Sequence, residues 1–383
     1  MDDKYVAYGS EKLTQAEVRR MNRKQIFRYI YNSKSTSKQA IATALNLSLP
    51  TVSQNINLFM EQGLVKKAGV SSSTGGRKAE LYCCDNLSRV AIGVELLKEG
   101  AEIVAIDLYG SILQKDSFPV PFENTDDYFQ KFGKWVNRFS SSLPFPESKL
   151  LGVNIAIQGL VSGDGEYISY SEILNSTGLQ RSMYQKHISL PCSIIHDTDA
   201  SAIAEIWQRP DLVNAIYLVL NRNFGGILII NGQVFKGHEL SSGTIEHMCL
   251  SPNGPLCYCG KRGCLETYCS ANSLQAAAGL ELSEFFSRVR KGDCQCSQIW
   301  EEFMHNLALA IDNIRMVIDC DFILGGYLLS FMNQDDFNAL NRYVQEQCAF
   351  ESKSFSIEFS QYGNDAPKIG AGIALIQRFF DSL

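Results

Sequence analysis

The stretch that decides the reading is "GTIEHMCLSPNGPLCYCGKRGCLETYC", residues 243–269. Cys257, Cys259 and Cys264 fall within eight residues, ten residues after His247, in a chain of 383 residues with twelve cysteines and five histidines. Three explanations compete: a metal centre, a disulfide pair, and chance crowding of small apolar residues. The chain carries no uncharged apolar run of about 18 residues, and its start, "MDDKYVAYGS", has neither the basic beginning nor the apolar stretch of a secretion signal. A cytoplasmic protein without a membrane partner is therefore expected. In a reducing compartment clustered thiols bind metal or stay free more often than they pair. Tetrahedral zinc takes thiolate and imidazole ligands, and His247, Cys257, Cys259 and Cys264 make a complete set of four. Asn253, Gly254, Gly260 and Gly263 let the loop fold back tightly. With no position left for water, one structural Zn2+ per chain is expected.

Charge divides the chain. Residues 1–80 hold thirteen Lys and Arg against six Asp and Glu, or +7, and residues 81–383 hold 22 against 35, or −13. A basic head on an acidic body points to a polyanionic partner for the head. Within the head, Ile26, Phe27, Ile30 and Tyr31 recur at helical spacing. A second helix is expected from Thr36, as cap, with Gln39 three residues on and Ile41, Ala44 and Leu45 inward. A third begins at Ser48 and Pro50. Burying Val52, Ile56 and Phe59 leaves Pro50, Thr51, Ser53, Gln54 and Asn57 on a polar, uncharged face suited to base edges. The following "GLVKKAGVSSSTGGRKAELYC" reads as strand, tip and returning strand, with Lys66 and Lys67 placed for phosphates and Arg77 for a narrow minor groove. Together these predict a winged helix-turn-helix over 1–84 that binds double-stranded DNA. A docking or dimerisation module is the other reading of three short helices.

Beyond residue 85 short apolar strands such as "RVAIGVELL", "LLGVNIAIQGLV" and "GGILIINGQVF" alternate with helices, so the body is α/β. The cysteine stretch, together with "VNIAIQGLV", "HDTDASAIAE", "FGGILIINGQVFKG", "FILGG" and "IGAGIAL" in that order, resembles the ROK family of sugar kinases and sugar-responsive repressors. With a winged helix attached, the chain is most similar to the repressor branch. The resemblance implies an actin-like, ribonuclease H-like pair of lobes: 85–205, completed by about 365–383, and 206–364, the latter carrying the zinc site and the dimerisation surface. It assigns the same four zinc ligands. It also implies sugar contacts by His196, Asp197, Thr244, His247 and Glu266, with Asp197 where family kinases keep the catalytic base.

The phosphate loops depart from the kinase pattern. Where the family has D-x-G-G-T, this chain reads "ELLKEG" from Glu95, and the second loop reads "NRNFGG" from Asn221 without its threonine. Bulky and acidic side chains there repel ATP, so a vestigial base and no enzyme activity are expected. A sugar kinase and a zinc-stabilised docking protein remain the competing readings. Because the family's first glutamate is Thr244 here, a glucose-like ligand loses a charge-assisted hydrogen bond of about 1.5–3 kcal/mol. The expected effector is thus a modified, phosphorylated or different sugar, the alternative being that the site has been lost, and the expected assembly is a homodimer or larger on an inverted-repeat operator.

Overall fold

The computed structural model describes residues 14–70, 79–350 and 355–383. The chain forms two compact units: one takes in the chain up to Val90 with Asp107–Tyr109 and Ile376–Leu383, the other Ala91–Ile106 and Gly110–Leu375.

The first unit is a three-helix bundle with a small sheet. Helix α1 (Gln15–Ser33) starts about three turns before the apolar stripe, at a Thr14/Glu17 capping box. Ile26, Phe27, Ile30 and Tyr31 are its buried residues, as their spacing predicts. After the short strand β1 (Thr36–Ser37), α2 (Lys38–Leu45) is capped by Ser37, whose hydroxyl accepts from the Ala40 N–H at 3.2 Å. Thr36 is buried in the sheet instead, so the cap lies one residue later than expected, and Ala42 rather than Ala44 faces inward beside Ile41. Asn46 ends α2 in the left-handed conformation (φ 53°), which asparagine tolerates. Helix α3 (Leu49–Glu61) is capped by Ser48 and buries Val52, Ile56 and Phe59. Strands β2 (Val65–Val70) and β3 (Glu80–Cys84) pair antiparallel, and the sheet order is β1-β3-β2.

This unit closes its core with residues far away in sequence. Phe380 sits edge-on to Phe27 and Tyr31, with centroids 5.1 Å away in each case. Tyr31 stacks on Tyr109 at 4.4 Å and donates its hydroxyl to the Leu108 carbonyl at 2.9 Å. Asp381 pairs with Arg28 at 3.1 Å and Lys24 at 3.7 Å.

The second unit contains two five-stranded sheets built on one plan. In the first, β4 (Val90–Leu97), β5 (Gly100–Ile106) and β6 (Ile112–Phe118) form an antiparallel meander. Helix α4 (Asp126–Ser142) buries Phe129, Phe132, Val136 and Phe139 on one stripe. It is followed by β7 (Leu150–Ile157), the hairpin β8 (Leu160–Val161) and β9 (Ile168–Tyr170), α5 (Ser182–Gln185), β10 (Cys192–His196) and α6 (Asp197–Gln208). The order is β10-β7-β4-β5-β6, with β10 parallel to β7.

The second sheet repeats this with β11 (Ala215–Leu220), β12 (Phe224–Ile230) and β13 (Gln233–Phe235) as the meander. Helices α7 (Glu266–Cys269), α8 (Ala271–Ala278), α9 (Leu282–Arg290) and α10 (Cys294–Arg315) precede β14 (Asp321–Gly325); α11 (Gln334–Gln347) precedes β15 (Ile357–Phe359). The order is β13-β12-β11-β14-β15, with β14 and β15 parallel additions. A meander extended twice by parallel strands, met once per lobe, is the duplicated actin-like plan. Helix α12 (Ala366–Ser382) returns to the first lobe, and a Cβ at Gly370 would lie 1.7 Å from the Ala200 carbonyl oxygen, so only glycine lets α12 cross α6 that closely. Among the described residues no helix is long and apolar enough to cross a membrane.

Because Phe380 is 3% exposed within the first unit, Phe380→Ala is expected to cost about 3–5 kcal/mol, read as a lowered denaturant midpoint of the head transition followed by tryptophan-free probes such as far-UV circular dichroism. An unchanged midpoint would show that the C-terminal turns do not support the head.

Candidate functional site

The polar face of α3 is open as its spacing predicts: Pro50, Gln54 and Asn57 are exposed and Thr51 and Ser53 partly so. A groove of about 740 Å³ runs beside it, lined by Thr51, Gln54 and Asn57 on one side and Arg19, Asn22 and Arg23 of α1 on the other. Arg23 Nε is buried there without a hydrogen-bond partner. The two arginines were missed as site candidates, although their spacing of four residues in "RRMNRKQIFR" places them one helical turn apart. Lys66 and Lys67 stand on β2, paired to Asp85 at 2.9 Å and Glu80 at 2.5 Å. Arg77 lies outside the described residues.

In the body, a cavity of about 200 Å³ opens at the carboxyl end of β10. His196 ends that strand and Asp197 begins α6, and both line the cavity with Thr244, Glu246, His247 and Asn223. Asp197 Oδ1 accepts from the Thr198 N–H at 2.8 Å and lies 3.3 Å from His196 Nε2. His196 Nδ1 lies 3.4 Å from Asp199, which in turn pairs with Lys236 at 2.7 Å. Burial alone would discharge the imidazole, but the hydrogen bond and charge of Asp199, with the charges of Asp197 and Glu246, outweigh it and hold His196 up to about 9.

Glu266 stands apart from the other expected sugar contacts. Its oxygens accept from Asn223 Nδ2 at 2.8 Å and the Phe224 N–H at 2.6 Å, so it fastens the β11–β12 turn, and it is not among the residues lining the cavity. Glu246, two residues after Thr244, does line it. Burial pushes its carboxyl up to about 7, with Glu266 and Asp197 adding to the shift and His196 opposing it.

The short turn Ile245–His247 carries these groups. Ile245 is buried against Gly226 of β12, where a Cβ would lie 2.7 Å from Ile245 Cδ1. The following loop folds back through bridges pairing Cys249 with Cys264 and Leu256 with Arg262. Gly263 (φ 71°) is required there, since a Cβ would fall 1.6 Å from the Ser251 carbonyl oxygen. One ligand atom each from His247, Cys257, Cys259 and Cys264 lies within 4.8 Å of every other. Cys257 Sγ is 3.8 Å from His247 Nδ1 and Cys259 Sγ is 3.7 Å from Cys264 Sγ. Tetrahedral bonds of about 2.3 Å set sulfur ligands about 3.8 Å apart, whereas a disulfide needs about 2.05 Å. The four residues therefore fit a metal ion. Burial and the charge of Lys261 keep His247 below the ordinary histidine range, the neutral form a ligand nitrogen needs. The imidazole faces two ways: Nδ1 toward the thiols, and Nε2 3.9 Å from Glu246.

A larger cavity, about 810 Å³, is lined by Glu95, Lys98, Glu99, Asn221 and Arg222, the two loops that carry phosphates in a kinase-like body. Next to Glu95, the Lys368 ammonium is 2% exposed and lies 3.4 Å from Glu95, 2.6 Å from Glu102 and 2.9 Å from Asp365. Arg222 pairs with Glu99 at 2.6 Å.

For His196, a folded-state pKa near 9 above an unfolded value of about 6.5 means that its contribution to stability is full below about pH 6.5 and lost as pH rises through about 9. Urea midpoints across that window should fall more steeply for the wild type than for His196→Gln. Parallel pH profiles would contradict the ion cluster of His196 with Asp197 and Asp199.

Residues 91–378 match the model of the ROK family, and residues 22–66 match a winged helix-turn-helix DNA-binding model. The chain is 27% identical over 305 residues to the DNA-binding transcriptional dual regulator NagC of Escherichia coli K12, covering 78% of this chain and 75% of that protein. It is 22% identical over 378 residues to the xylose repressor of Bacillus subtilis, covering 96% and 98%. Among solved structures, a ROK family transcriptional regulator described as a homologue of E. coli MLC superposes with a TM-score of 0.79 at 16% identity, covering 96% of this chain and 98% of that one. A ROK glucokinase of Streptomyces griseus, in complex with glucose and AMPPNP, superposes at 0.66 with 18% identity, covering 75% and 99%. The doubled lobes are thus those of a known family: the chain belongs to the ROK family and carries a winged helix-turn-helix in its N-terminal part.

Proposed function

We propose that the protein is a cytoplasmic, sugar-responsive transcriptional repressor that binds an inverted-repeat DNA operator as a homodimer or larger assembly. The observation that carries this reading is the α3 face, uncharged and open, with Arg19 and Arg23 beside it. Uncharged donors and acceptors suit base edges, and flanking arginines suit phosphates. The names of the N-acetylglucosamine and xylose repressors support a sugar effector, and the Asp197 cavity is the place for it.

The cluster of His247 with three thiols is read as a structural zinc site, closed to water by its four ligands. When bound, zinc would supply rigidity; His247 would then present its Nε2–H to a sugar hydroxyl in a fixed tautomer. Asp197 would accept from a second hydroxyl.

Catalysis of phosphate transfer is the second reading, favoured by the position of Asp197 and the likeness to glucokinase. Against it, Glu95 and Glu99 stand in the loop where phosphates need backbone N–H donors, and Lys368 and Arg222 are already committed to carboxylates. A coupled assay with hexoses and ATP is expected to find no turnover.

Selection of duplexes from a random library should return an inverted repeat with half-sites about 34–36 Å apart. Gln54→Ala should lose discrimination at one or two base pairs, about 1–3 kcal/mol, whereas Arg23→Ala should weaken all sequences alike and lower the salt slope by about one. If Gln54→Ala discriminates as the parent does, α3 is not the reading helix. Metal analysis should find about one zinc per chain, with Cys257→Ala losing both metal and thermal stability; a metal-free protein of undiminished stability would remove the zinc centre.

A further inference from the structure

The effector cavity holds more negative charge than a neutral sugar needs. Asp197, Glu172 and Glu246 all line it. The Glu246 side chain is 15% exposed, and its one ion-pair neighbour among the described residues is His247 Nε2, at 3.9 Å. His196, the cation of the cavity, is already flanked by Asp197 at 3.3 Å and Asp199 at 3.4 Å. Lys236 is committed to Asp199 at 2.7 Å. No ion pair joins Glu246 to a lysine or arginine among the described residues.

Resting on the reading of this cavity as the effector site, we propose that Glu246 supplies the carboxylate that Thr244 does not, and that it makes the site select an amino sugar with a free ammonium group. Both Thr244 and Glu246 reach the same cavity because the turn Ile245–His247 is a single tight coil pinned by Ile245. Shifting the acid two residues along the chain therefore keeps it in the site but brings it next to His247 instead of leaving that place to a glycine. An ammonium donates hydrogen bonds to Glu246 and neutralises its charge at once; a hydroxyl donates but leaves the charge. A phosphate ester meets three carboxylates and an imidazole already engaged by two others, so it is repelled. N-acetylation removes the charge that the site rewards.

The test is calorimetry on the full chain at neutral pH with glucosamine, N-acetylglucosamine, glucose and a glucose phosphate ester, on the wild type, Glu246→Gln and Asp197→Ala. Glucosamine should bind about tenfold or more tightly than glucose, a step of about 1.4 kcal/mol, and N-acetylglucosamine and the phosphate ester should show no such gain. Glu246→Gln should lose more affinity for glucosamine than for glucose, so that the preference disappears, while zinc content stays within error of the parent. Preference for glucose or for the phosphate ester, or a glucosamine preference kept in Glu246→Gln, would overturn the selectivity while leaving the effector site standing. Binding by none of the four sugars would overturn the effector site and the selectivity with it. Asp197→Ala separates these outcomes, since it should weaken every sugar that binds in this cavity.

Discussion

Much of the body is organised by one imidazole. His247 turns Nδ1 to the thiol of Cys257 and has Nε2 3.9 Å from Glu246, so the same ring belongs to the His/Cys cluster and to the lining of the smaller cavity. Its position depends on Ile245, two residues earlier in the same turn and buried against the bare backbone of Gly226. That anchoring matters because the loop from Cys249 to Cys264 has little apolar surface of its own: Leu256 is 65% exposed and Tyr258 41%. A loop of this kind gains little from the hydrophobic effect and needs either a crosslink or a metal to hold one shape. The tetrahedral spacing of its thiols answers that need, and the cavity wall inherits the rigidity.

The same lobes carry a second, larger cavity beside Glu95. A nucleotide site depends on small residues whose N–H groups converge on anionic oxygens. Beside that cavity the buried Lys368 meets the buried Glu95 and the more exposed Glu102 and Asp365. Removing charges from water is expensive, and such clusters persist only where every partner is satisfied. Burial still pushes Glu95 up to about 7 despite the lysine beside it. The smaller cavity is lined by polar groups of His196, Asp197, Thr244 and Glu246.

Local pattern made most elements legible. The buried stripes of α1 and α3 follow directly from residue spacing, and most strands of the two lobes coincide with the short apolar runs, whereas β6, mostly exposed, and the three-residue β9 and β15 carry no such run. Errors fell where two residues competed for one role: Ser37 caps α2 because Thr36 is drawn into the sheet, and Ala42 replaces Ala44 on the inner face. What local pattern did not reveal was long-range. Nothing near Tyr31 tells that its partners are Leu108, Tyr109 and Phe380, because those contacts arise only after the body has brought distant segments back to the head unit. The site shows the same limit: Glu266 looks like a ligand group in the chain but spends its oxygens on Asn223 and Phe224, whereas Glu246 looks like an intruder and faces the cavity. Position in a motif fixes neighbours along the chain, not the direction in which a carboxylate finds its donors.

If the head reads DNA and the Asp197 cavity reads a sugar, the two must be linked by a ligand that prefers one global state. The most direct measurement is the affinity of the full chain for a selected duplex, by fluorescence anisotropy at fixed salt, with and without a saturating sugar, on the wild type and Asp197→Ala. The account predicts that sugar weakens DNA binding by the wild type about fivefold or more, within the usual range of coupling free energies, and leaves Asp197→Ala unaffected. A wild-type affinity that does not move when sugar is bound would contradict it.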